Sequence, residues 1–404
     1  MATYSLRKFA QPDVLKNIQE ENLLKFLEPY TDYLTGRGFS FQKNGDGEID
    51  YSQLCHILMQ PSEGIPPTMV DALYFVQEVS DDDMFDELLE IAKDAQVDVP
   101  ANLTPTDLAV LLWLKDPELI KKPHSEALMM KPKSFNSFQS QKAKGQKIDL
   151  SKGNINTLER DMDDWFEKNK RGNGCEVTSF DMSDENKVYF LVRHGMPFKR
   201  EGKIDETGVT GSVFYRPEFH DVIVYDREAN ELQIFNKSGG KKERNMYLEA
   251  FGLRFFGDAE YFPDEDKYTL QPLLDDGADS LSCLDIPGLE EIRLTEVQLQ
   301  FRGPYNDRSI FRSKNLFASL QDRSKDLPRF GNLVAASFQV KFENSPKPRT
   351  IKIKTPNVAS FDRKEDAHVI EQWLKARGFI KQQEVPALEG RVHDHAGQAA
   401  VAYA

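Results

Sequence analysis

A chain of 404 residues exceeds what one hydrophobic core serves, so two or three folding units are expected. With 39% apolar residues and no apolar run near the roughly 20 residues that cross a bilayer, the composition excludes transmembrane helices, and no membrane partner is expected. The formal charge of −14 is unevenly placed: residues 1–120 carry 8 Lys and Arg against 22 Asp and Glu, whereas residues 293–364 carry 15 against 6.

In residues 12–120 the apolar positions recur at helical spacing. Val14, Leu15, Ile18, Leu23, Leu24 and Leu27 share one face, and residues 66–79 and 84–95 repeat the pattern. Ser80 and the aspartates at 81–83 suit a helix N-terminus, where carboxylates meet unpaired amides. Thr104-Pro105-Thr106-Asp107 is a stronger start signal, with a cap residue, proline at the first helical position and an acid three residues after the cap. The apolar run LAVLLWLK that follows predicts the buried centre of an acidic, all-helical domain spanning 1–120.

Inside this domain, GFSFQKNGDGEIDYSQLCHIL resembles the EF-hand family: Asn44, Asp46, Gly47 and Ile49 fall at its third, fifth, sixth and eighth loop positions. The resemblance implies calcium, but Gln42 stands at the first ligand position and Gln53 at the twelfth, where a neutral amide offers no anionic clamp. Calcium is therefore not an expected partner. The local reading is a tight turn at 44–47 leading into a helix from Tyr51.

Residues 121–154 are rich in lysine, serine, glutamine and proline without a sustained period and read as a linker. An amphipathic helix at 156–170 follows through Leu158, Met162, Trp165 and Phe166, with Gly172 as its stop. Residues 187–237 hold the densest strand signal, KVYFLVRHG, VTGSVFYRP and HDVIVYDREANELQIFNK, and the last run should form an antiparallel hairpin of 220–225 with 231–235. Residues 241–256 read as a helix, 267–274 and 289–301 as strands, and 311–320 as either. A second hairpin pairs 332–343 with 349–355, a capping box at 362–365 opens a closing helix, and the stretch 382–404 reads as a frayed tail. The fold class expected is α+β: an acidic helical domain (1–120), a linker (121–154) and an antiparallel-sheet-dominated domain (155–381). Cys55, Cys175 and Cys283 lie far apart with no CxxC spacing, and the opening MATYSLRKFAQPD lacks a secretion-signal layout, so a cytoplasmic location is expected.

Two strings invite a catalytic reading. VYFLVRHG (188–195) resembles the histidine phosphatase signature, which implies His194 as a phosphorylated nucleophile, helped by a second histidine, a second arginine and an acid. None of the later histidines, His220, His368, His393 and His395, ends a strand before a glycine. HDVIVYD-REAN-ELQIFNKS resembles the core of restriction-endonuclease-like PD-(D/E)xK nucleases, which implies Mg²⁺ held by two acids, a lysine orienting water, and a setting in restriction or antiviral defence. Asp221 fits the first acid and Lys237 the lysine. Phe235 occupies the second acid position, so Glu231 or Glu249 would have to supply that carboxylate.

Basic clusters give a third signal. Lys241, Lys242 and Arg244 lie at a helix start, where backbone amides also favour anions. Arg302, Arg308, Arg312, Lys314 and Arg323 are interleaved with Tyr305, Phe311 and Phe317, a pattern in which cations neutralise phosphate and aromatics stack on bases. The functional expectation is a non-enzymatic binding component that needs no cofactor and contacts nucleic acid or a protein partner through its basic C-terminal surface. A Mg²⁺-dependent nuclease and a histidine phosphatase are the alternatives.

Overall fold

The computed structural model describes residues 6–381 apart from residues 10, 46, 143, 238, 264–265 and 363–366. The tail expected at 382–404 and most of the capping box expected at 362–365 lie outside the described residues. The fold is α+β. Among the described residues eight α-helices come first: α1 (Pro12–Leu15), α2 (Glu20–Leu27), α3 (Thr31–Gly36), α4 (Tyr51–Met59), α5 (Pro67–Val79), α6 (Phe85–Asp94), α7 (Pro105–Lys115) and α8 (Glu118–Met130). The start signal of α7 works as its sequence implies, since the Thr104 hydroxyl oxygen accepts from the Asp107 amide at 3.2 Å.

A strand, β1 (Ser134–Gln139), and the helix α9 (Lys152–Lys168) follow, then β2 (Glu176–Met182), β3 (Lys187–Gly195), β4 (Lys199–Ile204), β5 (Thr210–Tyr215), β6 (Glu218–Asp226) and β7 (Glu231–Phe235). Helix α10 (Gly240–Phe256) ends on Gly257 in the left-handed region at φ 69°, a conformation that suits a residue without Cβ. The remainder is α11 (Pro272–Asp275), β8 (Leu289–Gln300), β9 (Arg308–Arg312), α12 (Leu316–Gln321), β10 (Asn332–Phe342), β11 (Arg349–Lys354), β12 (Val358–Ser360) and α13 (Ala367–Ala376).

Two compact units divide the chain. The first comprises Met1–Lys133, Ile148–Tyr225 and Ile234–Ala259. Its helical part closes around Phe9, Leu23, Leu54, Leu73, Leu108 and Leu112, all fully buried. Its strands follow the order β2-β3-β6, continued by β7, whose residues divide between the units after Gln233, while β4 and β5 form a two-stranded sheet of their own. The second unit comprises Ser134–Lys147, Asp226–Gln233 and the chain from Glu260 onward. Its strands follow the order β1-β12-β11-β10-β8-β9, which leaves β9 as an edge, and its core gathers Leu294, Val297, Phe338, Ile353, Trp373 and Phe379.

Two expectations need correction. Residues 121–154 are not a linker: α8 runs through Pro123 to Met130, and β1 pairs antiparallel with β12 from Ser134↔Ser360 to Asn136↔Val358. The pairing buries Phe135 and Phe138, while exposed Lys131, Lys133 and Ser134 give the stretch its linker-like composition. Residues 267–274 hold no extended strand beyond a single bridge, Tyr268 to Ile380, because Pro272 sits at the first position of a helical turn and fixes its φ for helix.

Candidate functional site

The polar centre of the first unit is built where β3, β6 and α10 meet. Side chains alternate along a strand, so the neighbours Arg193 and His194 on β3 point to opposite faces. Arg193 pairs with Glu176 at 2.6 Å and Glu218 at 3.5 Å. His194 turns inward and is buried, its ring stacked on Phe166 of α9 with centroids 4.5 Å apart, and Phe219 lies 6.2 Å away on another side. The imidazole Nε2 is 3.1 Å from Asp221 Oδ2 on β6, and Nδ1 is 3.0 Å from the Gly195 carbonyl oxygen.

Helix α10 closes the cluster with two side chains four residues apart, which share one face of a helix. Tyr247 donates its hydroxyl to Asp221 Oδ2 at 2.8 Å. Burial, then the Asp221 charge, pushes that phenol well above its ordinary range. Glu243 is fully buried; it ion-pairs with Arg171 and accepts from Asn236 Nδ2 at 2.9 Å. Two glycines make room. A Cβ on Gly239 would come within 1.9 Å of Glu243 Oε2, and one on Gly195 within 2.5 Å of the Arg171 carbonyl oxygen. The glycine of the Arg-His-Gly string is therefore explained by close backbone approach. Arg193 and His194 of that string face opposite sides of β3.

His194, Asp221 and Glu243 each offer a ligand atom, all within 4.8 Å of one another. Two buried oxygens in the cluster, Asp221 Oδ1 and Asn236 Oδ1, accept no hydrogen bond.

Of the four residues assigned to the nuclease reading, only Asp221 belongs to this cluster. Lys237 is exposed, its ammonium 5.8 Å from the centroid of the Phe219 ring that flanks His194. Glu249 is exposed, two residues past the buried Tyr247 and so turned to the opposite side of α10. Glu231 is counted in the second unit, buried against Lys267 with Nζ–Oε2 at 2.7 Å. Burial alone would lower the Lys267 ammonium, but the Glu231 carboxylate outweighs it and holds Lys267 above its usual range. The inward carboxylate of α10 is Glu243, which sequence reasoning passed over because it stands in the basic string KKER. Its one available signal was the four-residue spacing to Tyr247 and Phe251.

The basic residues divide between the units. Lys241 and Lys242 are exposed and Arg244 half-buried at the start of α10, in the first unit, while Arg302, Arg308, Arg312, Lys314 and Arg323 are exposed in the second. Arg312 is bound to the nearly buried Glu296, which Lys352 also approaches at 3.7 Å. Arg323 donates to the Ser319 hydroxyl at 2.8 Å. Tyr305 is 83% exposed beside them, and Phe301 stacks on Phe330 at 5.8 Å.

At the EF-hand-like stretch, Gly47 adopts φ +86° in a tight turn, closed by Gly47 N donating to Asn44 O at 2.9 Å. Asp50 caps α4, and Gln53 turns its amide to the Arg37 carbonyl at 3.1 Å. Asp46 lies outside the described residues.

The first unit also holds an open cleft of about 1330 Å³, lined among others by Tyr74, Phe75, Trp113, His124, Arg193 and His220. His124 is buried edge-on against Phe75 and Tyr74, its Nε2 without a hydrogen-bond partner. Burial pushes its imidazole down to about 4. No helix among the described residues is long and apolar enough to cross a membrane. No family model matches the chain, and a search of curated proteins finds no match either.

Proposed function

We propose that this protein is a non-enzymatic binding component whose second unit holds a nucleic-acid backbone along β9 and the segments on either side of it. One observation carries the reading: β9 is an edge strand on which Arg308, Ile310 and Arg312 are exposed in alternation with half-buried Ser309 and Phe311, with Arg302, Lys314 and Arg323 also exposed. Exposed cations on an extended strand and on the segments beside it can contact the phosphates of a nucleic-acid chain, and the exposed Tyr305 offers a stacking face. The clustered acids of residues 1–120 belong to the first unit.

Salt dependence tests the reading on the full chain. Five phosphate contacts imply a log–log slope of affinity against salt of about −4.5 on duplex DNA and about −3.5 on a single strand, and Arg308→Gln with Arg323→Gln should flatten it by about 1.5–2. Arg312 is left intact because Glu296 would lose a partner. Fluorescence anisotropy with single-stranded DNA, duplex DNA and RNA gives the slope. Salt-insensitive or absent binding to all three would remove nucleic acid as the partner and leave an acidic protein surface as the next one to try.

A further inference from the structure

We propose that His194, Asp221 and Glu243 form a buried site for a first-row divalent transition cation, of which zinc is the natural occupant to test. The setting of His194 is the first argument. Its Nδ1 lies 3.0 Å from the Gly195 carbonyl oxygen, an atom that only accepts, so Nδ1 donates there. Its Nε2 faces Asp221 Oδ2 at 3.1 Å, so the ring nitrogen and the carboxylate oxygen stand where one cation could bridge them. A metal-bound histidine ordinarily donates its other ring N–H to a backbone carbonyl or a carboxylate, the arrangement Gly195 provides.

The second argument is independent of the ring. Asp221 is fully buried and its Oδ1 has no partner, nor has Asn236 Oδ1 beside Glu243. A buried carboxylate oxygen left unpaired costs free energy that an ion would recover. Geometry is the third. The ligand atoms already lie within 4.8 Å of one another, and zinc bonds of about 2.0–2.1 Å in a tetrahedral site require separations of about 3.3 Å, so binding would draw them in by up to about 1.5 Å and set the cation in competition with Arg171 for the Glu243 carboxylate.

The donor set also selects the ion. One imidazole and two carboxylates in a site walled by Phe166 suit zinc and its neighbours, whereas Mg²⁺ demands an octahedron of oxygens and keeps several waters. The role that fits full burial is structural: the cation would tie β3, β6 and α10 together, with Asn236 and the Gly195 carbonyl orienting the ligands from behind.

The test uses the full chain with His393→Asn and His395→Asn, so that the histidines near its end do not compete. After chelation and dialysis, zinc titration by calorimetry should give one equivalent. His194→Gln and Asp221→Asn should abolish it, and Asn236→Ala should weaken it about 10–100-fold. Cobalt substituted into the unaltered site should give tetrahedral d–d bands without a thiolate charge-transfer band, a readout independent of whether the variants fold. Failure of the chelated chain to take up zinc, retention of full affinity by His194→Gln, or a proton found on both ring nitrogens of His194 by NMR would each overturn the site. The last result would identify a plain imidazolium–carboxylate pair.

Discussion

His124 shows how one side chain can set a pH dependence for the unit around it. Its ring sits edge-on to Phe75 and Tyr74, 5% exposed, with Nε2 unpaired, and burial pushes its pKa from 6.5 down to about 4. A histidine whose folded pKa lies below its unfolded value favours the folded state only while neutral. Its contribution is therefore complete above pH 6.5 and is lost as pH falls from there toward 4, by about 3 kcal/mol at most. Urea titrations of the first unit's helical signal at pH 7 and pH 4.5 should show this loss in the native chain. His124→Phe, which keeps the ring and removes the titrating nitrogens, should reduce the difference by about 2 kcal/mol or more. An unchanged difference would mean that carboxylates alone govern the acid limb.

At the scale of elements, the β4–β5 hairpin stands apart from the strands around it. Residues Lys199 to Ile204 pair in register with Tyr215 to Thr210, yet almost every side chain on both strands is exposed, including Ile204 at 72% and Phe214 at 67%. Polar contacts with the loop after α4 hold it: Lys203 pairs with Glu63 at 3.3 Å, and Glu206 accepts from the Glu63 amide at 2.9 Å. Ile204→Thr and Phe214→Thr should each change stability by no more than about 0.5 kcal/mol, as surface substitutions do, whereas Ile223→Ala at a fully buried position of β6 should cost about 2–5 kcal/mol. Chemical denaturation of the three variants separates the two classes, and a large loss at Phe214 would show that the arm is covered in solution.

Periodicity explains which elements were legible. The β6–β7 and β10–β11 hairpins declare themselves through β-branched and aromatic runs broken by turn residues, although β6 and β7 bury polar positions such as Asp221 and Gln233 along with the apolar ones. Strand β1 does not, since its burial departs from strict alternation and lysines surround it. Within the polar cluster, His194 and Asp221 stand out in apolar strands. Arg171 and Glu243 do not, because a charged residue beside other charges reads as solvated surface, and only the fold reveals that these two bury each other. Separation along the chain, 72 residues for that pair, is what a local reading cannot bridge.

For the whole molecule, the decisive feature is that neither unit is continuous in sequence. The second unit takes β1 from Ser134–Lys147, whereas the sequence alone suggested a domain beginning at 155. A fragment of residues 155–381 would thus lack the strand that pairs with β12 and the buried rings of Phe135 and Phe138. Each phenylalanine contributes about 1.5–3 kcal/mol by burial, a large part of the few kcal/mol by which a domain is stable. Loss of β1 also strips the Ser134-to-Asn136 ladder from β12, which has only three residues and retains β11 alone as a partner. A fragment of 134–381 should therefore protect the Val358–Ser360 amides from hydrogen exchange at least 10-fold better than 155–381, by exchange mass spectrometry on peptides covering that strand. Equal protection in the two fragments would mean that β1 is dispensable to the second unit and that the boundary at 155 serves after all.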